Sequence, residues 1–172
     1  MPADRYLGRT PIQEFEALYR RYAADVFRFA LYLGGDRAEA EDVASETFVR
    51  AWVTRDRLRL PTVKAYLFTI ARNLHRQGWR GRTRRADLDF EMLDPGPGPE
   101  EQAAARARLD RVLAALQQVP EVDRAALLMR AQDGMSYDEI AAALGISVVA
   151  AKVKVHRARL RLAAADGCGD TK

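Results

Sequence analysis

Residues 136–162 read SYDEIAAALGISVVAAKVKVHRARLRL, and this stretch predicts two helices joined by a tight turn. Ser136 and Glu139 have the spacing of a capping box at the start of the first helix, and Gly145 supplies the turn. Ser147 can cap the second helix, whose apolar residues recur at steps of four, three and four, at Ala151, Val155, Ala158 and Leu162. This is the pattern of a helix-turn-helix, a motif whose second helix lies in the major groove of DNA.

The remaining residues of the second helix are mostly cationic. Its predicted outer face carries Lys152, Lys154, His156, Arg157, Arg159 and Arg161, with no acidic residue among them. The alternative is a solvated, charged face on a small helical bundle, but such a face normally mixes both signs. The single sign of charge therefore favours nucleic-acid binding.

The composition is that of a globular protein: of 172 residues, 48% are hydrophobic and 30% are charged, with a net charge of +4. The single cysteine, Cys168, allows neither an intramolecular disulfide nor a cysteine-based zinc site, and it fits a reducing cytosol. The N-terminus lacks the apolar segment of a signal peptide, and no apolar run approaches the roughly 20 residues of a membrane-spanning helix. We therefore expect a soluble cytoplasmic protein without membrane insertion.

The N-terminal part predicts two helices. The first carries an apolar stripe with steps of three and four, formed by Ile12, Phe15, Tyr19, Tyr22, Val26, Phe29 and Leu33. Asp36 and Glu39 then form a second capping-box pair, which opens a helix that runs to about Trp52. This second helix concentrates acidic residues at Glu39, Glu41, Asp42 and Glu46. The helix dipole explains part of the cluster, but Glu46 lies too far from the N-terminus, which leaves a protein-facing acidic patch as the other interpretation.

A third helix, with Pro61 in its first turn, leads into an arginine-rich segment. Residues 72–85 read RNLHRQGWRGRTRR and contain six arginines and no acid. Arginines contact phosphates, and Trp79 can stack on an exposed base. The alternative for Trp79 is packing against the helical bundle. The density of arginine favours a nucleic-acid contact.

An acidic segment separates this part from the helix-turn-helix. Residues 87–101 contain six carboxylates and no lysine or arginine, and three prolines and two glycines fall within 95–99. We interpret residues 87–102 as a flexible linker between domains at 11–86 and 103–165. The linker either shields the basic modules or serves solubility. With no strand pattern, the predicted fold is all-α, with two small helical domains.

No catalytic or metal site is predicted. His75 and His156 lack a metal-ligand partner at useful helical spacing, and the chain has no phosphate-binding glycine loop or nucleophile elbow. The acidic residues of the second helix are spread around it and do not converge on one point. We therefore expect a protein that is not an enzyme and that binds no cofactor.

Taken together, the blocks in this order resemble bacterial RNA polymerase sigma factors of the extracytoplasmic-function (ECF) group of the sigma-70 family. AEDVASETFVRAW (40–52) is similar to region 2.2, which in the family docks on the clamp of the polymerase β′ subunit. AYLFTIARNLHRQGWRGRTRR (65–85) is similar to regions 2.3 and 2.4, which open and read the −10 promoter element. The segment 119–147 followed by KVHRARLRL (154–162) is similar to region 4, which reads the −35 element.

The resemblance implies a role for each candidate residue. Polymerase docking falls on Asp42, Ser45, Glu46 and Arg50. Recognition of the −10 element falls on Arg72, Asn73, Arg76, Gln77, Trp79, Arg80, Arg82, Arg84 and Arg85. Recognition of the −35 element falls on Ser147, Ala150, Lys152, Lys154, His156, Arg157 and Arg159. The implied partners are core RNA polymerase, through its β′ clamp and β flap, promoter DNA and an anti-sigma factor that occludes both domains.

The chain departs from the family pattern at several of these positions. Ser45 stands where glutamine is usual, Tyr66 where tryptophan is common, and Gln77 where aspartate is common. Residues 150–151 are Ala-Ala in place of threonine-valine, which removes a hydroxyl that can bind phosphate. These differences bear on the promoter sequence more than on the activity.

Two other functions compete with this interpretation. A repressor or response-regulator-like protein would use the helix-turn-helix alone, as a dimer on paired half-sites. An adaptor or anti-sigma-like protein would make no DNA contact. The sigma interpretation instead expects two separately folded cationic surfaces, and a single compact core that buries the arginines of 72–85 would contradict it.

Overall fold

Seven α-helices make up most of the residues that the computed structural model describes, which are 11–54, 62–78 and 99–166. The helices are α1 (Pro11–Gly34), α2 (Arg37–Val53), α3 (Val63–Arg76), α4 (Pro99–Gln117), α5 (Glu121–Ala131), α6 (Tyr137–Leu144) and α7 (Val148–Asp166). These described ranges contain no strand. The prediction of an all-α fold is confirmed.

Helices α1, α2 and α3 form the N-terminal half around aromatic contacts. Phe29 of α1 stacks on Phe68 of α3 with ring centroids 4.6 Å apart, and Phe15 contacts Trp52 edge-on at 5.1 Å. The predicted apolar stripe of α1 is buried or half-buried along most of its length, but Ile12 is exposed. α1 buries more than this stripe because it contacts α2 and α3 as well as α4 and α5.

The predicted helix starts differ in detail from the observed ones. Asp36 caps α2 by accepting a hydrogen bond from the Glu39 backbone N–H at 2.7 Å. The Glu39 side chain, however, lies against His75, with Oε1 2.9 Å from Nδ1, instead of returning to the cap. α3 begins at Val63 with Thr62 as its N-cap, two residues beyond the predicted start at Pro61.

Helix α4 begins earlier than the sequence predicts. Its first residue is Pro99, so the last four residues of the predicted 87–102 linker are helical. Glu100 and Glu101 in the first turn suit the positive end of the helix dipole. Val112 of α4 is exposed, whereas Leu116 is buried. Residues 87–98 lie outside the described residues.

The helix-turn-helix of α6 and α7 forms as predicted. Ser136 and Glu139 make both hydrogen bonds of the capping box, at 2.7 and 3.2 Å. Gly145 ends α6 with φ 65°, a left-handed conformation that glycine adopts without a Cβ clash. Ser147 accepts a hydrogen bond from the Ala150 N–H at 3.1 Å and so caps α7. The predicted inner residues Ala151, Val155 and Ala158 are buried.

The N-terminal half (α1–α3) and the C-terminal half (α4–α7) pack against each other and share one continuous hydrophobic core. Thr69 of α3 donates a hydrogen bond to the Ala143 carbonyl of α6 at 3.2 Å. Gln117 donates to the Tyr32 carbonyl of α1 at 3.4 Å. In this arrangement the two halves bury apolar side chains against each other, which removes surface from water. The division into domains at 11–86 and 103–165 stays a prediction.

Candidate nucleic-acid interface

The surface of α7 carries most of the residues predicted to read the −35 element. Lys152, His156, Arg157 and Arg159 are exposed, as is Ser147 at the cap, and Ala150 is half-buried. Lys152 Nζ lies 5.7 Å from the centre of the Tyr137 ring, a cation–π contact that limits where the amine can move. The two arginines, Lys152 and His156 are thus accessible from outside the helix and can meet DNA.

Lys154 does not belong to this surface. It is half-buried, and its Nζ lies 3.1 Å from Oδ1 of Asp123 in α5. Asp123 is buried, and a buried carboxylate needs a countercharge. In this structure Lys154 therefore neutralises a carboxylate inside the C-terminal half, and its contact with the DNA groove stays a prediction.

A line of apolar side chains runs along the outermost side of α7, which sequence reasoning missed. Val149, Val153 and Leu160 are 71%, 40% and 57% exposed. Their spacing of four and seven residues was visible in the sequence, but the surrounding cations obscured it. We call these three residues the α7 ridge.

The end of α3 presents only some of its predicted promoter contacts. Asn73, Arg76 and Gln77 are exposed. Arg72, in contrast, has a side chain only 7% exposed and forms an ion pair with Glu121 of α5. In this packed arrangement Arg72 is engaged by protein, whereas Arg76 is exposed, and the role of both at the −10 element stays a prediction. The other predicted −10 contacts, Trp79, Arg80, Arg82, Arg84 and Arg85, lie outside the described residues.

Helix α2 holds the predicted polymerase-docking residues. Asp42 is exposed, and Glu46 accepts a hydrogen bond from Arg50 Nε at 2.7 Å. The Ser45 hydroxyl donates to the Glu41 carbonyl at 2.9 Å, so it is satisfied within its own helix. Val49 and Val53 are also exposed on α2, which gives the surface an apolar component beside its carboxylates.

Two family models match the chain: Sigma-70 region 2 over residues 18–85 and Sigma-70, region 4 over residues 109–162. RNA polymerase sigma factor CnrH of Cupriavidus metallidurans is 34% identical over 94% of this chain and 93% of its own length. ECF RNA polymerase sigma factor SigL of Mycobacterium tuberculosis is 38% identical over 83% of the chain and 82% of SigL. The chain belongs to the ECF group of RNA polymerase sigma factors.

Other relatives and solved structures agree with this membership. ECF RNA polymerase sigma factor SigE of Mycolicibacterium smegmatis is 34% identical, and the chain spans 60% of its length. The structure of CnrH in complex with the cytosolic domain of CnrY matches with a TM-score of 0.72 at 29% identity, over 95% of this chain and 92% of that one. The sigma factor RpoE in complex with the anti-sigma factor NepR, from Bartonella quintana, matches with a TM-score of 0.64 at 26% identity, over 87% and 94%.

The protein is thus a DNA-binding sigma factor that acts in transcription initiation. The family membership covers both halves of the chain, and a repressor that uses the helix-turn-helix alone is not favoured. In the described ranges of this sigma factor no cluster of His, Cys, Asp or Glu side chains is placed to hold a metal ion. None of the described helices is long and apolar enough to cross a membrane.

Charged groups link the two halves of the sigma factor. Lys64 of α3 lies 2.9 Å from Oδ1 of Asp133 and 3.2 Å from Oδ2 of Asp25. The Asp133 side chain is 1% exposed, and burial raises its pKa although Lys64 acts in the opposite direction. Burial lowers the pKa of Lys64, but the two carboxylates more than offset it, so the net pKa is raised. Sequence reasoning missed this cluster, because its members lie on three separate segments.

Proposed function

We propose that this sigma factor directs core RNA polymerase to promoters by reading the −35 element with α7 and the −10 element with the segment that begins at the end of α3. The observation that carries the proposal is the order of the matched regions, 2 and then 4, with a well-formed helix-turn-helix whose second helix exposes cations. A protein with both regions can hold two promoter elements at once. The C-terminal half then supplies duplex recognition, and the N-terminal half supplies strand opening.

The −35 contacts divide by position on α7. Recognition helices contact base edges with their N-terminal residues and phosphates with residues that flank the groove. Lys152 lies in the first two turns, at the level of the base edges. Arg157 and Arg159 follow along the helix and supply positive charge for the phosphates, together with base contacts where an arginine reaches guanine. His156 lies between Lys152 and Arg157 and supplies a ring N–H for a hydrogen bond.

The −10 contacts begin with the exposed side chains of α3. Asn73, Arg76 and Gln77 occupy its last turn and C-cap, and the predicted contacts Trp79, Arg80, Arg82, Arg84 and Arg85 continue the same segment. Arginines pair with phosphates of the opened strand, and an aromatic ring stacks on an unpaired base. We assign strand opening to this segment.

Docking on polymerase is assigned to α2. Asp42 and Glu46 supply negative charge, Arg50 and Ser45 lie on the same helix, and the exposed Val49 adds apolar area. A patch with an apolar centre and charged rim is typical of protein–protein interfaces. We propose that it meets the β′ clamp, and that the C-terminal half meets the β flap.

The packed arrangement is proposed to be the form that does not bind promoters. It engages Arg72 at the contact between the halves, which withholds one predicted −10 contact from DNA. The two solved structures described above are complexes with another protein, the cytosolic domain of CnrY in one and the anti-sigma factor NepR in the other. We infer that an anti-sigma factor controls this protein by binding its packed form.

The test is transcription in vitro from genomic promoter fragments with host core polymerase, with and without the sigma factor. Discrete start sites that require the sigma factor are the expected result. Core polymerase that gains no promoter selectivity would refute the proposal. The charge reversals Asp42→Lys and Glu46→Lys should abolish binding to core polymerase, whereas Glu16→Lys, an exposed carboxylate on α1, serves as the matched control.

A further inference from the structure

The α7 ridge lies opposite the buried side of its helix. Because an α-helix turns about 100° per residue, Val149, Val153 and Leu160 point within about 30° of the direction away from the buried Ala151, Val155 and Ala158. None of the three ridge residues belongs to the hydrophobic core. Valine is also a weaker helix former than the charged residues around it. Neither core packing nor helix propensity therefore accounts for the exposed Val149 and Val153.

Basic side chains lie on both sides of the ridge. Lys152, His156 and Arg159 flank it on one side, and Arg157 and Arg161 on the other; all five are exposed. Helix α7 has no acidic residue before Asp166. An apolar line between two rows of positive charge complements the major groove of DNA, where phosphates border both sides and base edges form the floor. The aliphatic group on that floor is the C5-methyl of thymine.

The positions of the two valines along α7 fit such a contact. Val149 is the second residue of the helix and Val153 lies one turn later, in the part of a recognition helix that meets base edges. A rise of 1.5 Å per residue separates them by about 6 Å, close to two base-pair steps of about 3.4 Å. Leu160 lies about 10 Å beyond Val153 on the same scale, past the turns that meet base edges.

We propose that Val149 and Val153 are specificity-determining residues that read thymine methyl groups in the −35 element. The inference rests on the proposed promoter recognition by α7 and adds a preference for thymine at defined positions. An element selected by this protein therefore contains thymines about two base pairs apart, opposite the N-terminal turns of α7.

The test starts from a library of duplexes randomised in the upstream element, selected with the full-length protein bound to core polymerase. Each thymine of the enriched element is then replaced by uracil, which keeps the pairing edge and the O4 acceptor and lacks only the methyl group. The parent protein should lose about fourfold in affinity at each contacted thymine, the equivalent of about 0.8 kcal/mol for one buried methyl group. Val149→Ala should lose the sensitivity to uracil at one thymine position, and Val153→Ala at another. A double-mutant cycle that combines each valine variant with each uracil replacement measures this coupling.

Leu160→Ala is the matched control and should keep the full sensitivity to uracil. An enriched element without thymine, uracil replacements that leave the affinity of the parent unchanged, or valine variants as sensitive as the parent would overturn the inference while leaving promoter recognition intact. Valine variants that lose affinity for core polymerase in the absence of DNA would also overturn it, because the ridge would then bind protein. A library with no enriched duplex would refute the proposed function itself, and this inference with it.

Discussion

Arg72 of α3 donates two parallel hydrogen bonds to the carboxylate of Glu121 in α5, from Nε to Oε1 at 2.6 Å and from Nη2 to Oε2 at 3.0 Å. This fork geometry is among the stronger ion-pair arrangements in proteins. It joins residues 49 positions apart in the sequence and lies between the two halves. The arginine that the family resemblance assigns to the promoter is therefore occupied by protein when the halves are packed.

The first prediction is that the Arg72–Glu121 ion pair holds the two halves together. Glu121→Gln keeps the size of the side chain and removes its charge, which should weaken the packing of the halves by about 1–3 kcal/mol. The expected result is a larger radius of gyration by small-angle scattering and tighter binding to a promoter fragment with core polymerase. Glu16→Gln on the surface of α1 is the matched control and should change neither quantity. An unchanged radius and affinity in Glu121→Gln would mean that the ion pair does not hold the halves together.

Lys154 and Arg157 should have opposite effects although they are three residues apart. Lys154→Ala leaves the buried Asp123 without its countercharge, so we expect a loss of about 1–3 kcal/mol in unfolding free energy with little change in DNA affinity. Arg157→Ala should lower the affinity for promoter DNA by about 1–3 kcal/mol and reduce the salt dependence of binding by about one ion, with unchanged stability. Thermal unfolding and DNA titrations at two salt concentrations separate the two. If both variants lost the same amount of DNA affinity, Lys154 would contact the DNA groove as the family resemblance implies.

The capping box of Ser136 and Glu139 should make the unfolding free energy depend on pH. The Ser136 backbone N–H donates to the Glu139 carboxylate, which lowers the pKa of Glu139 below its ordinary value of 4.5. A lowered pKa means that this stabilisation is fully present above the ordinary pKa and is lost as the pH falls through the lower folded value. Glu139→Gln should therefore cost up to about 1 kcal/mol at neutral pH and almost nothing in strong acid. Urea unfolding of parent and variant across this range is the measurement, and a pH-independent difference would contradict the assignment.

The raised pKa of Asp133 predicts the opposite pH dependence, with stability falling as the pH rises. Burial raises its pKa from the ordinary value of 3.8, so the folded state binds a proton there more readily than the unfolded state does. The ionised carboxylate therefore costs stability as the pH rises through the interval between the two pKa values. Asp133→Asn should be at least as stable as the parent at neutral pH and should lose part of the pH dependence of unfolding in acid. Exposed Asp138→Asn is the control. A variant less stable by more than about 1 kcal/mol would show that the ion pair with Lys64 outweighs the burial.

Features set by neighbouring residues were predictable from the sequence, and features set by distant partners were not. The capping box of Ser136 and the turn at Gly145 depend on contacts within a few residues, and both formed as predicted. The environments of Arg72 and Lys154 depend on carboxylates 49 and 31 residues away. The additional buried side of α1 likewise results from contact with α4 and α5, which periodicity within one helix does not reveal.

The packing energy of the shared core would set how strongly the protein binds promoters. If only the open form binds promoters, the apparent dissociation constant is the intrinsic one divided by the open fraction, so a fraction of about 1 in 100 weakens binding about a hundredfold. Each change of about 1.4 kcal/mol in the packing energy then shifts output about tenfold while that fraction is small. Substitutions on α1 or α5, far from any base pair, would set the basal transcription level as effectively as changes in the recognition helix.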